Sequence, residues 1–121
     1  MANILVLDDN QDILTIAQDA IQNAGHDVTT LCDSAKINDL LSCQKYDLLI
    51  TDIFMSKKEG LEVIAYAKEN YPDLKIIVMS GVFTFGDILA VALELGANNK
   101  LSKPFTISEL LAVVEQTLQD T

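Results

Sequence analysis

Three short apolar runs constrain this chain more than any other feature: NILVL at 3–7, LLIT at 48–51 and IIVM at 76–79. Each is too short for a typical helix. None alternates polar with apolar residues, as a strand with one wet face would, so each fits a strand covered on both sides. Between them lie segments of helical period. From Asp12 to Ala24, the residues Ile13, Ile16, Ala17, Ala20, Ile21 and Ala24 recur at helical spacing before a stop at Gly25.

The same alternation continues along the chain. DVTTL at 27–31 is rich in β-branched residues and predicts a second strand, and SAKINDLLSC after Asp33 has a cap-like start and a short amphipathic pattern. YDLLIT leads into a helix expected from about Gly60 to Asn70, closed by Pro72. KIIVMS is the fourth strand, followed by a helix expected over about Thr84 to Leu95 with Gly96 as its left-handed stop. A short strand around Asn99 to Ser102 passes through Lys103-Pro104 into a last helix, where Thr106 and Glu109 have the spacing of a capping box.

Five β-α units in this order predict one α/β domain over residues 1–121, with a doubly wound parallel sheet in the order 2-1-3-4-5 and five helices. Strands one, three and four, being continuously apolar, are expected at its centre.

Composition narrows the function. Eighteen acidic residues against eight lysines give a formal charge of -10, which repels nucleic-acid phosphates and anionic membranes, so direct binding to either is not expected. No apolar run approaches the roughly 20 residues that span a bilayer. The start MANILVLDD lacks the basic n-region of a signal peptide. A soluble, cytoplasmic protein is the expectation. In a reducing compartment Cys32 and Cys43, at no metal-ligand spacing, are expected to be free, inert packing residues. His26, in the Gly25-His26-Asp27 turn, is expected to be a solvated loop residue, and Lys57-Lys58 a solvated pair that could also meet an acidic patch on a partner.

Asp8 and Asp9 stand side by side directly after the first strand. Two adjoining carboxylates repel one another, and more strongly out of water, so a cation is implied nearby. In the expected topology Asp52 ends strand three, Ser80 ends strand four and Lys103 follows strand five, which brings all five residues to the carboxyl edge of the sheet. Three carboxylates there make an oxygen-rich site suited to Mg²⁺, which takes few protein ligands and commonly bridges to phosphate. Asp52 is then a candidate nucleophile for a phosphoryl group, with Lys103 and Ser80 facing the phosphoryl oxygens and the Gly81 N–H unshielded by a side chain. Taken singly, each residue has an ordinary reading: a turn and helix cap for Asp8-Asp9, a satisfied strand-end carboxylate for Asp52, a turn cap for Ser80, a solvated loop for Lys103-Pro104. Their order along the chain, each after a different strand, favours the joint reading.

From ILVLDD through LLITDIFMSKKEG and IIVMSG to LSKPF, essentially the whole chain resembles the receiver domain of two-component response regulators. The resemblance implies that a sensor histidine kinase or phosphotransfer protein supplies the phosphoryl group and that Asp52 accepts it. It implies Mg²⁺ on Asp8, Asp9 and Asp52 with help from the Phe54 backbone carbonyl, phosphate pairing by Lys103, movement of the Ser80 hydroxyl to the phosphate, and a cis bond before Pro104. It also implies that the face of helix four, strand five and helix five meets a downstream protein, an effector domain or a second copy of the chain.

Departures from the family pattern qualify the resemblance. Met55-Ser56 stands where the family often has Met-Pro. Lys100 stands where the family usually has an aromatic residue whose ring follows the switch, so the readout is expected to differ. Phe54 and Val82, two residues beyond Asp52 and Ser80, replace frequent polar residues, which predicts slow self-dephosphorylation. Helix four, with Phe85, Ile88, Leu89, Val91, Leu93 and Leu95 spread around it, either lies deep in the fold or meets a partner. Two alternatives stand beside the receiver. One is an interaction module of the same fold that is never phosphorylated. The other is a flavin-binding electron carrier, against which stand the missing glycine-rich phosphate loop and the absence of tryptophan.

Overall fold

The structure is a computed structural model that describes residues 2–53, 60–81 and 86–119. Five strands, β1 (Asn3–Leu7), β2 (Asp27–Leu31), β3 (Leu48–Asp52), β4 (Lys75–Ser80) and β5 (Asn99–Ser102), form a parallel sheet in the order β2-β1-β3-β4-β5. The helices are α1 (Gln11–Asn23), α2 (Ile37–Cys43) with a short 3₁₀ turn before it (Ser34–Lys36), α3 (Gly60–Asn70), α4 (Gly86–Leu95) and α5 (Ile107–Gln119). The topology and the central place of β1, β3 and β4 agree with the sequence reading.

The sheet divides the core in two, and strand alternation decides which residue goes where. Leu5, Leu7, Leu49, Ile76 and Val78 face α2, α3 and α4, where they meet Ile37, Leu41, Val63, Ile64 and Ala92. Ile4, Val6, Leu48, Ile50, Ile77 and Met79 face α1 and α5 and meet Leu14, Ala17, Ile21, Leu110 and Val114. With both faces covered, the apolar runs need no polar alternation.

Local signals place the helix ends. Asn10 caps α1 by accepting the Asp12 N–H at 2.9 Å, so the helix begins at Gln11, one residue earlier than the expected start at Asp12. Thr106 and Glu109 form the expected capping box, each side chain taking the other's backbone N–H, at 2.9 and 3.0 Å. Gly25 (φ 97°) and Gly96 (φ 126°) adopt the left-handed conformation that ends α1 and α4.

Two expectations need correction, and one alternative stays divided. His26 is buried rather than solvated: its Nδ1 accepts the Ala2 N–H at 3.3 Å and its Nε2 lies 2.8 Å from Glu115 Oε1 on α5, which removes it from solvent. Cys32 and Cys43 are free but exposed, so neither is a packing residue. The alternative posed for helix four does not resolve to one side. Ala92 is buried and Ile88 and Leu89 pack on the core, whereas Val91, Leu93 and Leu95 are exposed. The readings made on Phe54, Met55, Ser56, Lys57, Lys58, Val82 and Phe85, and the helix start at Thr84, lie outside the described residues.

Candidate functional site at the carboxyl edge of the sheet

The carboxyl ends of the strands bring the expected residues together. β1 ends at Leu7, whose successor Asp8 continues the ladder by donating its N–H to the Leu31 carbonyl at 3.2 Å. Its carboxylate is fully buried. Oδ1 accepts the Asn10 N–H at 2.9 Å, and Oδ2 accepts from Lys103 Nζ at 2.6 Å. The same ammonium reaches Asp52 Oδ2 at 2.9 Å, so one lysine bridges the ends of β1 and β3. Asp9 is exposed beside them.

Lys103 is aimed by its backbone. The Lys103 N–H donates to the Ser80 carbonyl at 2.7 Å, which extends the β4·β5 ladder past the Ser80 and Ser102 pair, and the bond to Pro104 is cis as expected. Ser80 is buried at the end of β4. Gly81 is exposed, and a Cβ added there would meet nothing within 4 Å, so its backbone borders open space.

The electrostatics favour a further cation. Burial by itself pulls the Lys103 ammonium down, but its hydrogen bonds to Asp8 and Asp52 and their negative charge outweigh that, so it titrates above the ordinary 10.5. Among the described residues, the Lys103 ammonium is bonded to two of the three neighbouring carboxylates. Carboxylate oxygens of Asp8, Asp9 and Asp52 all lie within 4.8 Å of one another, a hard-oxygen donor set that fits a divalent cation such as Mg²⁺. The site therefore joins a candidate metal-binding carboxylate cluster to a lysine ammonium at the same edge.

A family model described as the response regulator receiver domain matches residues 4–115. The chain belongs to that family. Receiver domains of response regulators interact with histidine kinases and effector domains, and generally bind Mg²⁺. The DNA-binding transcriptional regulator NtrC of Azospirillum brasilense is 42% identical over 118 residues, which cover 97% of this chain and 24% of that protein. This receiver thus spans about a quarter of the length of the NtrC regulators it matches. The response regulator receiver protein CpdR of Brucella abortus is 32% identical over 123 residues, covering 98% of each. The crystal structure of the receiver domain of NtrX from Brucella abortus is similar with a TM-score of 0.91 at 27% identity, covering 98% of this chain and 99% of that one.

Two residues at this site escaped the sequence reading. Asn10 holds Asp8 through its backbone N–H, and its cap position before a helical run was the available signal. Gly60, read only as a helix start, lies against the backbone of Asp52 and Ile53, a contact that no local pattern encodes. Among the described residues no helix is long and apolar enough to cross a membrane.

Proposed function

We propose that residues 1–121 form one receiver domain that takes a phosphoryl group from a phosphohistidine of a sensor kinase or phosphotransfer protein onto Asp52, and passes the change to a partner. The observation that carries this reading is the Lys103 ammonium bridging Asp8 and Asp52 at the strand ends. A carboxylate oxygen of Asp52 attacks phosphorus while the bond from phosphorus to the donor's imidazole nitrogen breaks. The nitrogen leaves with the electron pair and takes up a proton from water, and the product is an aspartyl phosphate. Asp8, Asp9 and Asp52, with the Phe54 backbone carbonyl that the family resemblance implies, would hold Mg²⁺, which when bound would supply positive charge to the phosphoryl oxygens. Lys103 would pair with the phosphoryl oxygens, and the Ser80 hydroxyl and Gly81 N–H would donate to them.

The switch follows from competition for donors. A phosphoryl group on Asp52 draws Lys103 and Ser80 toward it, and their backbones are joined by the 2.7 Å bond between β4 and β5, so both strand ends respond together. Output then leaves through the face of α4, β5 and α5, where Val91 and Leu95 are exposed and Lys100 replaces the usual aromatic residue. Apolar Phe54 and Val82 leave no polar side chain at those positions to orient an attacking water, so the phosphoryl group persists for minutes or longer.

Intact-mass spectrometry after incubation with a small-molecule phosphodonor tests the chemistry. The expected result is one added phosphoryl group, dependent on Mg²⁺, abolished by EDTA and decaying slowly. No adduct under any condition would leave an interaction module that works unphosphorylated, and a half-life of seconds would refute slow decay.

A further inference from the structure

We infer that Gly60 is a positioning residue for Asp52: its missing side chain lets the amino end of α3 seat directly on the peptide that carries the reactive carboxylate. A Cβ built on Gly60 would stand 2.3 Å from the Asp52 carbonyl oxygen, and 2.6 Å from both Cα and the carbonyl oxygen of Ile53. All three are backbone atoms, so no side-chain rotation can relieve the overlap. The seat is also bonded, because the Gly60 N–H donates to the Ile53 carbonyl at 2.7 Å. On its other side the backbone of Asp52 is held by the sheet, in register with Met79, and by the Ile53 N–H bond to the Met79 carbonyl at 3.2 Å. Any residue larger than glycine must therefore lift α3 or push the end of β3. A push at β3 moves the Asp52 carboxylate relative to Lys103, whose backbone is held by the Ser80 carbonyl at the end of β4.

Displacement of a reacting group by a fraction of an ångström costs rate far more than it costs donor binding. This inference rests on Asp52 as the phosphoryl acceptor. Its test compares Gly60→Ala with Gly96→Ala, a control at the far end of α4. There glycine has φ +126° and a Cβ would meet the Lys68 side chain at 2.4 Å, so stability is lost away from the site. With a small-molecule phosphodonor and saturating Mg²⁺, Gly60→Ala is expected to lower the maximal phosphorylation rate by on the order of tenfold to a hundredfold with the donor KM retained. Gly96→Ala is expected to keep the wild-type rate despite its lower stability.

Equal rates for Gly60→Ala and wild type would overturn the inference alone. Failure of the wild type to form any adduct would overturn the Asp52 reading and this inference with it. If Gly60→Ala does not unfold cooperatively, hydrogen exchange in the wild type decides. A Gly60 amide protected as well as the β3 amides is expected, and exchange at the rate of an open loop would contradict the seat.

Discussion

At the scale of single residues, Lys103 holds the carboxyl edge together. The fully buried Asp8 carboxylate accepts from the Asn10 N–H and from this ammonium, and without the ammonium a buried charge would stand uncompensated, which is costly. The sign of the linkage follows from its raised pKa. With the unfolded value near 10.5 and the folded value above it, the folded state binds the proton more tightly. The stabilising contribution is complete below the unfolded pKa and is lost as pH rises through the folded one. Alkaline titration of stability should thus show a steeper decline above about pH 10.5 in the wild type than in Lys103→Met; parallel curves for the two proteins would show that the lysine is not coupled to the carboxylates. His26 tells a complementary story at the opposite end of the sheet, where it ties Ala2 to Glu115. Removing both bonds in His26→Phe should cost about 1–3 kcal/mol in denaturant unfolding, and no loss would mean that the ring acts by packing alone. Nothing in the Gly-His-Asp stretch announces this role. A turn composition speaks to local conformation, whereas the partners of His26 are 24 and 89 residues away.

At the scale of elements, α4 divides its apolar residues between core and solvent. Ala92 packs into the cluster shared with α2 and α3, while Val91 and Leu93 on either side of it in sequence are exposed. Ala92→Leu should therefore destabilise by about 1–3 kcal/mol through overpacking, whereas Val91→Ser should stay within about 0.5 kcal/mol as an exposed change. Chemical denaturation of both variants checks the contrast, and equal losses would place Val91 in the core. The sequence showed that α4 is apolar around much of its circumference without showing which side is covered, because a helical pattern with few polar residues has no preferred face. α1 and α5 were more legible. Their apolar stripes are one-sided, and caps at Asn10 and at Thr106 with Glu109 mark where they begin.

At the scale of the whole molecule, strand order converts distant residues into one site. Placing β1 beside β3 and β4 beside β5 brings Asp8, Asp52, Ser80 and Lys103 to one edge although they span 95 residues of chain. Continuity of the apolar runs and the chemistry at their ends made that order readable. The close approach of Gly60 to Asp52, which joins a helix start to a strand end, became visible only with backbone coordinates. The fold thus gathers the carboxylates of Asp8, Asp9 and Asp52 at one edge, where Lys103 bridges two of them. Asp52 is the proposed carrier of the phosphoryl group. Reduction of the phosphorylated protein with borohydride, which converts an aspartyl phosphate to homoserine, followed by peptide mass spectrometry, locates it. Homoserine at position 52 alone, absent without Mg²⁺, is the expected result; homoserine at Asp8 or Asp9, or none at all, would rule out Asp52 as the phosphoryl acceptor.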